Sequence, residues 1–225
     1  MPTEIRMNEA FPTRLITTTL PEVDNQKICA IIYALSEAGF TYSGPRVPGE
    51  ATQGNLFVID HPAIVALRNA FIGVISQVTN GGDQVLQVRG WANIMRRTDR
   101  SHDAPHSHLP YHWSAVYYPL MPALKEREGN IIFFDSKEVY AKSKPLTISP
   151  QTGMLIMFPS WLRHTAFPLS EASGDRISVS LNAVCGLPPN APNMAPPHRM
   201  KKRAPGQDFP QEFDPSAPEH FPYPV

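Results

Sequence analysis

The chain has 225 residues, and its 20 basic and 20 acidic side chains cancel to a formal net charge of zero. This length suits one domain with a substantial core. The neutral balance offers no electrostatic basis for binding nucleic acid or an anionic membrane surface. Two cysteines are too few for a disulfide framework or a cysteine-rich zinc module, no signal sequence opens the chain, and no apolar run reaches the length of a membrane span. We therefore expect a cytoplasmic protein that binds a small molecule and that could form a homodimer.

Two segments in the first part of the chain have helical periodicity. Residues 21–39 carry a stripe of isoleucines and end at Gly39, which is typical of a helix terminus. Residues 60–82 begin with Asp60 as the predicted cap and end at a glycine pair. Residues 40–58 lie between them, contain several glycines and prolines and have no sustained period, so we predict a loop there that could act as a lid.

From residue 84 onward, short runs rich in Val, Ile, Phe and Tyr alternate with Gly, Pro and Asp. Seven strands are predicted, at QVLQVRGWANIMR, WSAVYYPLM, NIIFFD, PLTISP, GMLIMFP, HTAFPL and RISVSLNAV. Seven short strands after two helices favour a mainly β fold, either an antiparallel sandwich or a jelly roll. We expect the helices to pack on the outer face of one sheet.

Proline is unusually frequent, with 25 residues, which is roughly twice the average usage. Many prolines lie in residues 187–225, where they exclude long helices and central strands. This tail is either a flexible appendage or a strap whose aromatic residues dock in apolar grooves. Those aromatic residues are Phe209, Phe213, Phe221 and Tyr223. The predicted organisation is one domain at 1–186, with a helical part at 1–82 and a β core at 83–186, followed by the tail.

The segment PHSHLPYHW contains three of the eight histidines of the chain. His106 and His108 are two residues apart, and alternate side chains of an extended chain share a face, so both imidazoles can point into one cavity. His164 begins a later predicted strand, as a third ligand arriving from an opposite sheet would. Two near ligands and one distant ligand leave open positions on a metal ion, which favours a catalytic site. The alternative is a set of surface histidines, or of core histidines satisfied by hydrogen bonds.

Polar residues alternate along the last predicted strand. In RISVSLN, the side chains of Arg176, Ser178, Ser180 and Asn182 share one face. An arginine fork with a serine two residues later suits bidentate recognition of a carboxylate. The alternative is an edge strand whose polar face meets water.

The order of the phrases HSH, SAVYYP, GNIIFFD, GMLIMFPSWLRH and RISVSLN resembles a group of bacterial iron(II)- and 2-oxoglutarate-dependent oxygenases. The family phrases run like HxH, SGVYY, GxLxFxDPR, GxLxLFPSWLxH and RISIxFN. The resemblance covers residues 84–184 closely and the first helix more loosely. It implies a double-stranded β-helix with Fe(2+) near one mouth of the barrel. It further implies a dioxygenase that uses 2-oxoglutarate and O2 to oxidise, by default to hydroxylate, a C–H bond of a small molecule, with release of succinate and CO2.

The resemblance also assigns roles to residues of this chain. It implies that His106 and His164 are iron ligands, and that Arg176 with Ser178 binds the distal carboxylate of 2-oxoglutarate. Asn182 would contact the cosubstrate or support the ligands.

The wider superfamily has two histidines and a carboxylate, arranged as HxD, whereas this chain has His108 in place of the aspartate. Three alternatives stay open: His108 ligates in a three-histidine set, Asp135 supplies the carboxylate, or water fills the position. Asp103 is a poorer candidate because it precedes the pair and would have to fold back. Ser136 and Lys137 follow Asp135 where the family has Pro-Arg, so the role of that arginine has no counterpart here.

Aromatic residues follow the histidine pair. His112 lies beyond a turn, and we expect it to line the substrate pocket with Trp113 instead of binding metal. Core packing is the alternative for Trp113, Tyr117 and Tyr118. Of the two tyrosines, we expect Tyr117 to donate a hydrogen bond to 2-oxoglutarate.

Two other functions stay open at this stage. A non-redox, metal-binding cupin-like protein would use the histidines but leaves Arg176 unexplained. A cosubstrate-independent three-histidine dioxygenase would explain HSH without a carboxylate, but it leaves the RIS phrase without a role.

Overall fold

The computed structural model describes six stretches of the chain, which are residues 13–44, 47–96, 104–124, 128–135, 145–169 and 174–186. The predicted strap at 187–225 and Asp103 lie outside these stretches. Within them, no helix combines the length and the apolar character needed to cross a membrane.

Ten strands and two α-helices make up the regular structure of the described residues. The helices are α1 (Asn25–Glu37) and α2 (Pro62–Val78), and a short 3-10 helix covers Leu56–Val58. The strands are β1 (Ile16–Thr19), β2 (Thr41–Gly44), β3 (Val47–Thr52), β4 (Gln84–Met95), β5 (Trp113–Leu120), β6 (Ile131–Phe133), β7 (Leu146–Ile148), β8 (Met154–Pro159), β9 (His164–Ala166) and β10 (Arg176–Gly186). All seven strands predicted from the sequence are present.

The strands form two antiparallel sheets. The larger has the order β1-β8-β5-β10-β4-β3-β2, and the smaller has the order β7-β6-β9. From β5 to β10 the chain passes repeatedly between the sheets, because β6, β7 and β9 belong to the smaller sheet while β8 and β10 return to the larger one. The prediction of a mainly β fold with flanking helices is confirmed.

Both helices pack on one face of the large sheet. The buried residues of α1 and α2, among them Ile28 and Phe71, join a cluster with Ile94 of β4 and Val179 of β10. Each such side chain contributes about 1.5–3 kcal/mol when fully buried. The opposite face of the large sheet meets the small sheet and is therefore the interior of the two-sheet core.

The prediction of a loop at residues 40–58 is wrong. The antiparallel strands β2 and β3 occupy most of this segment, and β3 pairs with β4 through Glu50 opposite Ile94. The backbone approaches β4 so closely at Gly49 that an added Cβ would lie 2.0 Å from the carbonyl oxygen of Ile94. The segment is therefore the edge of the large sheet rather than a lid, and its glycine marks a close contact with a distant strand.

The start of α2 also differs from the prediction. His61, not Asp60, is the cap, since its Nδ1 accepts a hydrogen bond from the backbone N–H of Ala63. Pro62 occupies the first turn as expected, because its missing N–H would have no partner inside the helix.

A polar cluster joins α1, β3, β4 and the start of β10. The Arg96 guanidinium donates to Glu50 from Nε (3.2 Å) and Nη2 (3.1 Å), and to Asp175 from Nη1 (3.3 Å). The hydroxyls of Ser36 and Thr41 donate to the other carboxylate oxygen of Glu50. These bonds, the Ser36 bond first, hold the pKa of Glu50 below its ordinary value.

Replacing Glu50 by glutamine should lower the free energy of unfolding by about 1 kcal/mol at neutral pH, because the pair with Arg96 is partly exposed and screened. The lowered pKa of Glu50 means that its contribution is present above the ordinary value of 4.5 and is lost as the pH falls through the folded-state value. Urea unfolding of Glu50→Gln and wild type at neutral pH and at about pH 3 measures this difference.

The matched control is Glu37→Gln, an exposed carboxylate in the last turn of α1, which should change stability little. If Glu50→Gln lowers the free energy of unfolding equally at both pH values, the negative charge of Glu50 does not stabilise the cluster.

Candidate metal and cosubstrate site

The HSH segment lies extended beside β9 and the turn that precedes it. The backbone N–H of His106 donates to the carbonyl oxygen of His164 (3.0 Å), and the N–H of His164 donates back to His106 (2.9 Å). The N–H of His108 donates to the carbonyl oxygen of Ser160 (2.8 Å). This pairing brings the two near histidines to the place where the third one begins its strand.

The three imidazoles form one cluster. One ring nitrogen from each of His106, His108 and His164 lies within 4.8 Å of the others, and the Nε2 atoms of His108 and His164 are 3.3 Å apart. The ring centroids are 4.6–5.1 Å apart. Asp135, the alternative carboxylate, is exposed and lies outside this group.

Backbone carbonyls determine the tautomer of two of these rings. The Nδ1 of His106 lies 2.9 Å from the carbonyl oxygen of Ala104, and the Nδ1 of His164 lies 3.0 Å from that of Leu162. A carbonyl oxygen can only accept, so each Nδ1 carries the proton and each Nε2 keeps its lone pair. This is the form in which histidine binds a metal ion.

The surroundings keep the imidazoles of His108 and His164 neutral. Burial, and then the neighbouring His106 ring, lowers the pKa of His164 to about 3. Burial and the two other imidazoles hold the pKa of His108 well below its ordinary value. The Phe158 and Phe133 rings pack on His164, with centroids 4.6 and 5.9 Å away. Three imidazole nitrogen donors in one group fit a divalent transition metal such as Fe(II).

Arg176 lies at the first position of β10, on the interior face of the large sheet. Its side chain is 4% exposed, and its Nη1 donates to the carbonyl oxygens of Phe167 (3.2 Å) and Gly129 (3.4 Å). These bonds orient the guanidinium inside the core. Ser178, two residues later, is also buried. The predicted alternation along β10 therefore holds in the structure.

The prediction for Tyr117 is wrong. Tyr117 packs in the helix-facing cluster, lies opposite Val179 and donates its hydroxyl hydrogen to Asn25 of α1. Tyr118 points to the other face, where burial raises its pKa to about 12 and the positive charge of Arg176 acts in the opposite direction. Tyr118, the residue after Tyr117, is therefore the tyrosine that lies near the Arg176 guanidinium.

A β-bulge in β5 lies between Tyr117 and Leu120. Ile177 pairs with Leu120 whereas Val179 pairs with Tyr117, so β5 has one extra residue between the two pairs. Pro119 lies in the bulge, where its missing N–H removes no ladder hydrogen bond. This proline is the signal in the sequence that could have suggested an irregular strand beside Tyr118.

Trp113 is also placed differently from the prediction. Its ring packs at the edge of the helix-facing cluster and its Nε1 donates to Asp83 (2.8 Å), so it is not part of a pocket with the histidines. The Nδ1 of His112 accepts a hydrogen bond from the backbone N–H of Cys185 (3.1 Å), which places that ring against the end of β10.

Trp91 is the aromatic residue that the sequence analysis missed. Its ring centroid is 5.6 Å from that of His108. Trp91 lies opposite Ser180 on β10, and Ser180 belongs to the face that was predicted to point inward. The pairing of β4 with β10 was the missing information, since the sequence of β4 alone does not show which of its faces is inside.

Comparisons with known proteins agree with this arrangement. Residues 89–182 match the family model described as "Putative 2OG-Fe(II) oxygenase". The matched segment runs from β4 to β10 and includes the three histidines and Arg176. No curated protein sequence matches the chain.

Solved structures of similar fold include a prolyl-4-hydroxylase from Pseudomonas putida, with a TM-score of 0.60 and 14% identity over 76% of this chain and 92% of that one. A prolyl hydroxylase from Trichoplax adhaerens, in complex with a hypoxia inducible factor oxygen degradation domain peptide fragment, has a TM-score of 0.55 and 14% identity over 76% and 83%. The non-heme alpha ketoglutarate dependent carbocyclase SnoK from nogalamycin biosynthesis has a TM-score of 0.57 and 9% identity over 76% and 79%. Identities this low establish the fold alone.

The shared fold is the double-stranded β-helix that the sequence resemblance implied. Fe(II) and 2-oxoglutarate, the two cofactors expected from that resemblance, are those of the matched family. Over its β core, at residues 89–182, this chain is therefore similar to the family of 2OG-Fe(II) oxygenases.

Proposed function

We propose that this protein is an Fe(II)- and 2-oxoglutarate-dependent dioxygenase that hydroxylates a C–H bond of a small molecule and releases succinate and CO2. The observation that supports it most directly is the cluster of His106, His108 and His164 in the same two-sheet core as the buried Arg176. Bound Fe(II) would supply the activation of O2 for the coupled oxidation of 2-oxoglutarate and substrate.

The three histidines would hold the metal ion through their Nε2 atoms. His106 and His164 already carry the tautomer that this requires. His108 would fill the third position, since its Nε2 faces that of His164 and Asp135 lies outside the group. Three protein ligands leave positions for the cosubstrate and O2.

Arg176 would bind the distal carboxylate of 2-oxoglutarate. A guanidinium buried in a low-dielectric interior pairs strongly with a carboxylate, because the two parallel N–H groups match the two oxygens. Tyr118 would add a hydrogen bond, in the role first assigned to Tyr117. Ser178 shares the face of β10 with Arg176 and would contribute a hydroxyl from the same side.

The substrate would bind beside His108, where the Trp91 ring forms an aromatic wall. The zero net charge of the chain favours a free small molecule over nucleic acid or a membrane surface. Measuring succinate release over a library of metabolites and peptides tests this choice. A cytoplasmic location and a homodimer remain predictions from the sequence.

Loss of the Arg176 guanidinium should weaken cosubstrate binding and leave metal binding unchanged. In anaerobic Fe(II)-loaded protein, 2-oxoglutarate should produce a weak visible charge-transfer band, and Arg176→Gln should weaken its binding at least about 30-fold. Arg68→Gln on α2 is the control and should bind normally. A wild-type protein that binds Fe(II) but gives no band would favour a non-redox or cosubstrate-independent function.

The identity of the third ligand can be tested with His108. We expect His108→Ala to weaken Mn(II) or anaerobic Fe(II) binding by about 100-fold or more, because even residues behind the ligands contribute 10–100-fold. His108→Asp should keep measurable affinity, since it restores the HxD pattern of the superfamily. Isothermal titration calorimetry measures both. If Asp135→Asn loses the metal and His108→Ala keeps it, Asp135 is the ligand instead.

The two adjacent tyrosines form a matched pair. Tyr118→Phe should raise the dissociation constant for 2-oxoglutarate about tenfold, which corresponds to one hydrogen bond to a charged group. Tyr117→Phe should leave that constant unchanged and lower the free energy of unfolding by about 1 kcal/mol, since it loses the bond to Asn25. The reverse pattern would restore the original assignment of Tyr117.

A further inference from the structure

A chain of buried side chains lies behind His108. The Nδ1 of His108 is 3.4 Å from the Nδ2 of Asn182, the Asn182 Oδ1 accepts from the Ser114 hydroxyl (2.6 Å), and that hydroxyl lies 2.7 Å from the hydroxyl of Ser160. Asn182 and Ser114 are 1% exposed and Ser160 is fully buried. Water cannot replace these partners, so the chain of hydrogen bonds determines how the His108 ring is held.

The hydrogen bond at the Nδ1 of His108 has the opposite direction to those at the Nδ1 atoms of His106 and His164. Asn182 Nδ2 can only donate, so in this arrangement the Nδ1 of His108 accepts and its Nε2 carries the proton. That proton lies toward the Nε2 lone pair of His164, 3.3 Å away. This tautomer satisfies the cluster, but it leaves no Nε2 lone pair on His108 for a metal ion.

The hydrogen bonds that run from His108 to Asn182, Ser114 and Ser160 can reverse their direction, which frees the Nε2 lone pair of His108 for a metal ion. If the Asn182 amide turns by half a rotation, its oxygen accepts from His108 Nδ1–H and its NH2 group donates to the Ser114 oxygen. The Ser114 hydroxyl then donates to Ser160, because a hydroxyl can donate or accept. The His108 ring stays neutral throughout, and only the nitrogen that carries its proton changes.

We propose that Asn182 is a positioning residue that sets which nitrogen of His108 carries the proton, with Ser114 and Ser160 as a reversible relay. His108 becomes a ligand when the Asn182 amide presents its oxygen. This inference rests on the proposed function, because it takes the three histidines as the metal site. It also assigns a reason to the departure from HxD, since a carboxylate binds metal without any choice of tautomer whereas an imidazole needs a partner that selects one.

Two near-isosteric variants separate this role from packing. Asn182→Asp keeps an acceptor for His108 Nδ1–H and for the Ser114 hydroxyl, so it should bind Co(II) as tightly as wild type or more tightly. Asn182→Leu keeps the volume but accepts nothing, so it should bind Co(II) about 10–100-fold more weakly. Calorimetric titration of the full-length apo protein gives the affinities, and the visible Co(II) bands report the ligand set.

Thr52→Val is the matched control. Thr52 is buried, and its hydroxyl accepts from the backbone N–H of Ala92 in β4, on the helix-facing side of the large sheet. The variant loses one buried hydrogen bond, whereas Asn182→Leu loses two, and it should bind Co(II) normally. Should Asn182→Leu not fold, Ser114→Ala provides the second test, with a loss of about 3- to 10-fold expected from one relay bond.

Two outcomes would overturn the inference alone. One is wild-type Co(II) affinity in Asn182→Leu, and the other is an equal loss in Asn182→Asp and Asn182→Leu, which would indicate a role in shape only. Absence of Co(II) binding by the wild-type protein would overturn the proposed function, and this inference with it. Full Co(II) affinity in Asn182→Asp together with a large loss of Co(II) affinity in Asn182→Leu supports the proposed role of Asn182.

Discussion

The pairing of β10 with β4 on one side and β5 on the other is the constraint on which the rest of the structure depends. Both edges of β10 are hydrogen-bonded, so its side chains must alternate between the helices and the interior of the two sheets. Ile177, Val179 and Leu181 are fully buried on the helix side. The intervening residues then point inward, which places Arg176 at one end of the site and Asn182 at the other.

The interior is mainly apolar, and this makes its few polar groups effective. The Phe133 and Phe158 rings pack around His164 and bury it, which keeps this imidazole neutral. The same low dielectric strengthens any pairing of a carboxylate with Arg176. The low dielectric of the core therefore affects both the histidines and Arg176. His106 and His164 keep their Nε2 lone pairs, and Arg176 would have a high affinity for an anion.

Much of this could be predicted from the sequence because its signals are local. Strand runs, the spacing of HSH and the alternation after Arg176 are visible in short windows of residues. The errors concern non-local pairing. The sequence does not show which face of Tyr117 and Trp113 is inward, because the inward side of β5 depends on its register with β10. It also predicts a loop where β2 and β3 lie, because short strands with few apolar residues gain their stability from pairing with other strands. The contact of Asn182 with His108 joins residues 74 apart in the chain.

The way in which the HSH segment is fastened has a consequence for local stability. Backbone hydrogen bonds tie His106 and His108 to His164 and Ser160, whereas β10 pairs with β4 along its whole length and with β5 from Ile177 to Ala183. The amide protons of this segment should therefore exchange with solvent through a smaller opening than those of β10. A ligand that joins the three imidazoles would link the HSH segment to β9, and its binding free energy would add first to the protection of this segment from exchange.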